Sequence, residues 1–384
     1  MIEEINIDRF EEFMDTDIDY SILKNALYDA IRKIKKNLDE FTDSFPHVSR
    51  NNIYIKEKNE LWTSSFWVGM VYLAYNYTKD EDLLKYSQRY LDSFEERLKS
   101  DFINTHDLGF LYTLSSVALY KLKGDEKARS LALKAAEKLA GRYNKKGKYI
   151  VAWETKERKL DLMIDTMMNL PLLYWSSEET KNDKFKKIAY NHALTSAMIL
   201  VREDGSSYHI SLMDDITGKP IKAKTFQGRY DESTWSRGQA WAIYGFVLCY
   251  KYTKEKEFLD ISRKTANYFI NNLTEDMIPY WDLSFTKEEQ DLKDSSAASI
   301  AACGLLELSR QLEDKSLVYK KAAYKIIRSL YKDYFIHKES NRFNGLIQHG
   351  VYHRNNGADE LTIWGDYFYL ESLVRMNMDW IIFW

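Results

Sequence analysis

Hydrophobic positions fall into two kinds of stretch that take turns along this chain. One kind is amphipathic. "SILKNALYDAIRKIKKNL" puts Leu23, Leu27, Ile31, Ile34 and Leu38 on one stripe at helical spacing, with charged residues around the rest. "DEDLLKYSQRYLDSFEERL" from Asp80, "DEKARSLALKAAEKLAGRY" from Asp125, "NDKFKKIAYNHALTSAMILV" from Asn182, "KEFLDISRKTANYFINNL" from Lys256 and "KSLVYKKAAYKIIRSLY" from Lys315 repeat it. The other kind is apolar nearly all round, which marks a buried helix. Its members open on Trp, Asp or Gly: "ELWTSSFWVGMVYLAY" from Glu60, "HDLGFLYTLSSVALY" from His106, "MIDTMMNLPLLYW" from Met163, "ESTWSRGQAWAIYGFVLCY" from Glu232, "DSSAASIAACGLLEL" from Asp294 and "TIWGDYFYLESLVRM" from Thr362. The two kinds alternate six times. The packing that satisfies both is an all-α closed double ring, six inner helices inside six outer ones: an (α/α)6 barrel spanning residues 1–384 as one domain. An open solenoid of hairpins leaves the first and last buried helices uncovered.

Closure gathers the connections entering the inner helices at one end, so the heads of those helices converge on a common cavity. Trp62, Asp107, Asp165, Trp235, Arg237 and Asp366 lie at these heads. The stretch from Arg202 to Glu232, too polar for either helix type, is expected to form strands or loops on the rim and to carry specificity.

Composition narrows the function. Aromatic residues make up 15% of the chain, with ten Trp and 28 Tyr, more than a packed core normally needs, and the surplus suggests an aromatic-lined groove of the kind sugars commonly occupy. A net charge of -3 without a basic stripe argues against nucleic acid. No apolar run approaches a bilayer span, and the acidic N-terminal stretch "MIEEINIDRFEEFMDTD" has no signal-peptide pattern. Cys249 and Cys303 sit in apolar helical runs as buried thiols rather than a disulfide framework. These features fit a cytoplasmic enzyme acting on small molecules, a monomer or weak homo-oligomer.

Asp165 stands among Met163, Ile164, Met167, Met168, Leu170, Leu172 and Leu173, where a carboxylate is costly. Helix capping is one reading of this acid and of Asp107, which has Asn104 and Thr105 as rival caps. The other reading is chemical: two carboxyls facing one cavity repel each other, one keeps its proton, and such pairs equip glycoside-cleaving enzymes. His106 and His209 lack the spacing of metal ligands; His209, in a polar loop, is expected to be a cavity hydrogen-bonding group. Trp235, Arg237, Gln239 and Trp241 cluster in "STWSRGQAWAIYGF", either as core with an ion-paired arginine or as stacking surface and a cation for a substrate carboxylate. No Walker loop, dinucleotide fingerprint or GxSxG elbow is present.

The strings "ELWTSSFW", "THDLGF", "IDTMMNLPLLYW", "STWSRGQAWAIYGF" and "WGDYFYLESL" resemble, in the same order, those of the unsaturated glucuronyl hydrolases of glycoside hydrolase family 88, over about residues 20–380. The resemblance implies the same barrel and an unusual hydrolysis without metal or organic cofactor. The substrates are lyase-derived oligosaccharides, such as those from glycosaminoglycans, that end in a 4,5-unsaturated uronic acid. The enzyme hydrates the C4=C5 bond instead of attacking the anomeric carbon. By resemblance Asp165 is the general acid and base and Asp107 the second essential acid. His209 and Gln227 lie near the water and the uronate, and Trp62, Phe66, Trp235 and Trp241 form the aromatic wall. Arg237 matches the arginine of the motif.

Two departures stand out. Family members that accept sulfated disaccharides carry S-x-x-S-x-K before the last inner helix, where "GVYHRNN" here has Gly350, His353 and Asn355, with Arg354 as a substitute cation. "WTSSFW" also replaces a more usual Asp and Gly, a change expected at the pocket entrance. Competing readings are an unsaturated rhamnogalacturonyl hydrolase, an inverting glycosidase with carboxyls roughly 6.5–9.5 Å apart, and a non-catalytic helical-repeat binding protein.

Overall fold

The computed structural model describes residues 4–153, 161–286, 288–313, 316–337 and 344–384. After a short helix, Ile7–Met14, the outer helices are Tyr20–Asn37, Ser87–Leu98, Glu126–Gly141, Asp183–Leu200, Lys256–Asn271 and Ser316–Ser329. Lys315, the expected head of the last, lies outside the described residues. The first buries Leu23, Leu27, Ile31, Ile34 and Leu38, the stripe read from the sequence, and Asp19 caps it by accepting from the N–H groups of Ser21 and Ile22. The inner helices are Ser64–Thr78, the run from Leu108 to Lys123, Leu170–Thr180, Ser236–Thr253, Ser295–Gln311 and Ile363–Asn377. Two depart from regular α-helix. A π-turn, Thr113–Val117, interrupts the second, and a 3-10 turn, Ile164–Asn169, leads into the third. Pro171 explains the latter start, since a proline with no N–H to donate is accommodated in the first α-turn.

This is the (α/α)6 barrel. Small residues let six bulky helices close: a Cβ on Gly69 of the first inner helix would lie 2.7 Å from the Tyr367 ring on the sixth, and one on Gly109 of the second would lie 2.2 Å from Asn169 Cα at the head of the third. Gly245, Gly304 and Gly365 open the crossings of third with fourth, fourth with fifth and fifth with sixth in the same way. The axis is filled by aromatic rings. Phe110 contacts Phe66 and Trp241 at 5.4 and 5.2 Å, Phe368 contacts the same two at 5.8 and 5.4 Å, and Trp384 stacks on Phe368 at 5.9 Å. Much of the aromatic surplus is therefore barrel filling rather than sugar surface.

The rim carries the strands. Asp161–Met163, Ile210–Met213 and Pro220–Lys224 form an antiparallel sheet in that order, the last two from the expected insertion. Gly350–His353 pairs with Asn356–Glu360 as a hairpin before the last inner helix. Among the described residues no helix is long and apolar enough to cross a membrane.

Candidate active site

Strand register brings the first two groups together. Met163 pairs with Ile210, and the Ile164 N–H donates to His209 O at 3.0 Å, so Asp165 and His209 leave the sheet side by side. Their side chains face each other with Nε2 and Oδ2 3.6 Å apart. The Phe226 N–H donates to His209 Nδ1 at 3.3 Å, so in the neutral ring the proton sits on Nε2, the nitrogen facing Asp165. They open into a cavity of about 160 Å³, lined also by Trp62, His106, Asp107, Trp153, Met163, Phe226, Gln227, Arg237 and Tyr352.

Neither acid caps its helix. No side-chain cap bond is made at the head of either segment. Asp107 instead accepts from the Thr105 hydroxyl at 3.0 Å and lies 3.7 Å from His106 Nε2. Asp165 Oδ2 has no hydrogen-bond partner among the described residues, although it is buried. Its pKa is pushed up to about 7, first by burial and second by the charge of Asp107, against a downward pull from Arg237 and the Trp241 N–H. An acid with its pKa near neutrality and one oxygen, Oδ2, unpartnered at the wall of a cavity is equipped to exchange a proton with a ligand. Burial holds the His106 pKa down, so beside Asp107 it is a neutral donor or acceptor bonded through Nδ1 to Thr166 at 2.8 Å. Among the described residues no three His, Cys, Asp or Glu side chains gather as a metal site.

Arg237 is fully committed to the wall. One Nη faces Asp294 at 3.4 Å and donates to Val351 O; the other donates to Gln227 Oε1 at 3.0 Å and Tyr352 O at 2.9 Å. Four Nη hydrogens meet four acceptors, so the arginine presents charge to the cavity rather than a free fork. Because Gln227 accepts through Oε1, its amide NH₂ is left as a donor.

Several expected placements need correction. Phe66 and Trp241 line no part of the cavity; both are completely buried in the aromatic axis. Arg237 and Trp241 are four residues apart in one helix, so they share a face but sit one helical turn apart in depth, and Phe66 lies inside the helix that Trp62, in the preceding turn, leads into. The upper member of each pair lines the cavity and the lower packs beneath it, with the Trp241 N–H still reaching up toward Asp165. Trp235 is also behind the lining, against the His209 ring at 4.3 Å and under Arg237 at 4.4 Å. Gln239 points outward to Gly205 O and Thr265 O. Asp366 joins a different cluster, accepting from Tyr54, Leu346 and Ile347, because residues 344–347 cover its side of the last helix head. The two serines of "WTSSFW" are not at the entrance: Ser64 bonds Leu61 O and Ser65 bonds Phe110 O inside the helix ring. Sequence reasoning missed Trp153, Met163, Phe226 and Tyr352 as lining and weighed His106 only as a metal ligand. Met163 and His106 stand next to named heads; the other three come from the rim, which helix patterning does not reach.

A helical double ring with two acids, one held near neutrality, in a small aromatic-walled cavity defines a glycoside hydrolase. The sequence profile of Glycosyl Hydrolase Family 88 matches residues 33–380, and the chain belongs to that family. The unsaturated chondroitin disaccharide hydrolase of Streptococcus pyogenes serotype M1 is 40% identical over 371 residues, covering 94% of this chain and 93% of that protein. The unsaturated glucuronyl hydrolase of Bacillus sp. strain GL1 is 40% identical over 364 residues, 92% of this chain and 96% of that one. The crystal structure of unsaturated glucuronyl hydrolase from Streptococcus agalactiae superposes with a TM-score of 0.95 at 38% identity, covering 100% of this chain and 98% of that one. An Asp-to-Asn variant of the S. agalactiae enzyme, complexed with dGlcA-GalNAc6S, matches at TM-score 0.89 and 36% identity over the same shares.

Proposed function

We propose that this protein hydrates the C4=C5 bond of the 4,5-unsaturated uronic acid at the non-reducing end of lyase-derived glycosaminoglycan disaccharides and short oligosaccharides, releasing the remaining sugar. The observation that carries this reading is the Asp165 carboxyl at the cavity wall, its Oδ2 without a partner among the described residues and its pKa pushed up to about 7. Asp165 gives its proton to C4, and the C5=C4 electron pair forms the new C–H bond while O5 shares the positive charge left at C5. Water adds at C5 and returns a proton to the Asp165 carboxylate, so the acid is regenerated. The C5 hemiketal then opens by breaking C5–O5, leaving a ketone at C5 and a hemiacetal at C1 that expels the aglycone as an alcohol. Asp107 keeps Asp165 protonated and faces the developing cation. His209 Nε2–H orients the carboxyl and the water; the Gln227 amide donates to the uronate, and Trp62 and Tyr352 flank the ring.

The rim bears on sulfation. A Cβ on Gly350 would lie 2.9 Å from Thr362 Cγ2, His353 Nε2 donates to Phe226 O at 3.1 Å, and Arg354 faces Asp291 at 3.5 Å. None of these is a ready sulfate ligand, so unsulfated disaccharides are expected to react at least as fast as 6-sulfated ones. The test follows the ultraviolet absorbance of the conjugated double bond with unsaturated chondroitin and hyaluronan disaccharides. Bleaching supports hydration, whereas release of sugar with the absorbance retained defeats it, and bleaching confined to pectin-derived disaccharides moves the substrate to that class. The pH profile is a second check. The acid must be protonated, so kcat/KM is expected to be level below the Asp165 pKa of about 7 and to fall tenfold per pH unit above it. A level profile to pH 9 contradicts Asp165 as the acid.

A further inference from the structure

Asp294 heads the fifth inner helix, and the reaction outlined above makes no use of it. Its side chain is completely buried, with both oxygens engaged. Oδ1 accepts from the Ser296 N–H at 3.0 Å, the Ser296 hydroxyl at 2.6 Å and the Val351 N–H at 3.2 Å, while Oδ2 faces Arg237 at 3.4 Å. Capping the helix requires only the first of these bonds. The last two reach the rim hairpin and the fourth inner helix. Val351 is thus gripped at its N–H by Asp294 and at its carbonyl by Arg237, and two cavity residues, Gln227 and Tyr352, hang on the same guanidinium.

We propose that Asp294 is a positioning residue for the reaction: as the buried counter-charge of Arg237 it fixes the guanidinium, with Gln227 and Tyr352, against the cavity wall and limits the positive field that reaches Asp165. The inference rests on the hydration reading. Asp165 is faced by His106 and Asp107 from the second inner helix, His209 from the rim sheet, Arg237 from the fourth inner helix and Tyr352 from the hairpin, and Arg237 carries the permanent positive charge among them. An uncompensated Arg237 favours the ionised form of Asp165, so fewer molecules hold the proton to be donated.

The test is the alkaline limb of kcat/KM. Asp294→Asn keeps an oxygen to cap the helix and removes the charge, so its limb is expected about one pH unit lower and its activity at pH 8 about tenfold lower than wild type. Ser296→Ala weakens the same cap without changing charge; it should lower Tm and leave the limb where it is. If Asp294→Asn fails to fold because the arginine is left buried and unpaired, the double variant Asp294→Asn with Arg237→Gln removes both charges, and its limb is expected above that of wild type. A folded Asp294→Asn protein with the wild-type limb overturns the proposal, as does a double variant with an unmoved limb. If the wild type bleaches no unsaturated disaccharide, the hydration reading fails first. Asp294 is then judged by a carboxyl ¹³C titration of Asp165, assigned by the resonance lost in Asp165→Asn: a lower pKa in Asp294→Asn supports the proposal and an unchanged one overturns it.

Discussion

Asp165→Asn is expected to lower kcat by about 10³-fold or more while leaving the protein folded, because in the proposed reaction one side chain supplies the proton to C4 and recovers one from the water, and each proton transfer is worth roughly 10²–10⁴-fold. Asparagine fits the space and can do neither. The same change is expected to stabilise the fold at alkaline pH. The Asp165 pKa is raised from the ordinary carboxylate range to about 7, so the folded state holds this proton more tightly than the unfolded chain does. The resulting stabilisation is complete below about pH 4 and is lost as pH rises through about 7, where the ionised carboxylate, only 18% exposed and with Oδ2 unpaired, remains as a cost of a few kcal/mol. Asparagine carries no such charge. Urea unfolding should show the variant more resistant than wild type at pH 8 and not at pH 4, alongside the lost turnover. A variant that keeps a tenth of wild-type activity would remove Asp165 from the chemistry, whatever its stability.

The arrangement behind that prediction was legible in the sequence to a definite depth. Alternation of all-apolar and striped helices identifies the ring, since burial on every side or on one side is written in the spacing of polar residues. Helix heads locate the cavity end, which is why Asp107, Asp165, Trp62 and Arg237 meet there. Depth is not written in the same way. Trp62 and Phe66 are both large aromatics at one helix head with their rings 5.7 Å apart, yet Trp62, in the turn before the helix, lines the cavity while Phe66, inside the first turn, packs beneath it. Asp366, like Asp165, is an acid at the head of an apolar inner helix, and its different fate is decided by residues 344–347, which donate two backbone N–H groups to it from a segment that helix patterning does not address. Tyr352, Phe226 and Trp153 escape for a related reason: they lie on strands and loops whose position depends on pairings distant in sequence. The resemblance to family 88 supplied Gln227, a rim residue that patterning alone would have passed over.

The two acids are held in register by one close helix crossing, and Gly109→Ala should expose it. Gly109 follows Asp107 by two residues, and its absent Cβ would lie 2.2 Å from Asn169 Cα and 2.4 Å from Asn169 O. Both atoms are backbone, so no side chain can swing aside. The neighbouring bonds are equally local: Asn169 Oδ1 accepts the Phe110 N–H at 2.8 Å, and Asn169 Nδ2 donates to Asp165 O at 3.3 Å. One asparagine therefore ties the helix that carries Asp107 to the turn that carries Asp165, across a gap that only glycine permits. A methyl group forces the two apart or breaks the stitch, at an expected cost of more than about 3 kcal/mol, together with loss of most activity as Asp107 withdraws from Asp165. The appropriate comparison is Gly141→Ala, at the end of an outer helix, where an added Cβ meets nothing within 4 Å. There the same methyl is expected to raise stability by about 0.5 kcal/mol through the unfolded chain and to leave turnover unchanged. Thermal unfolding and disaccharide bleaching on the two variants separate the cases. Equal Tm values would mean that the second and third inner helices move apart freely, and the pairing of the acids would then need another explanation than this crossing.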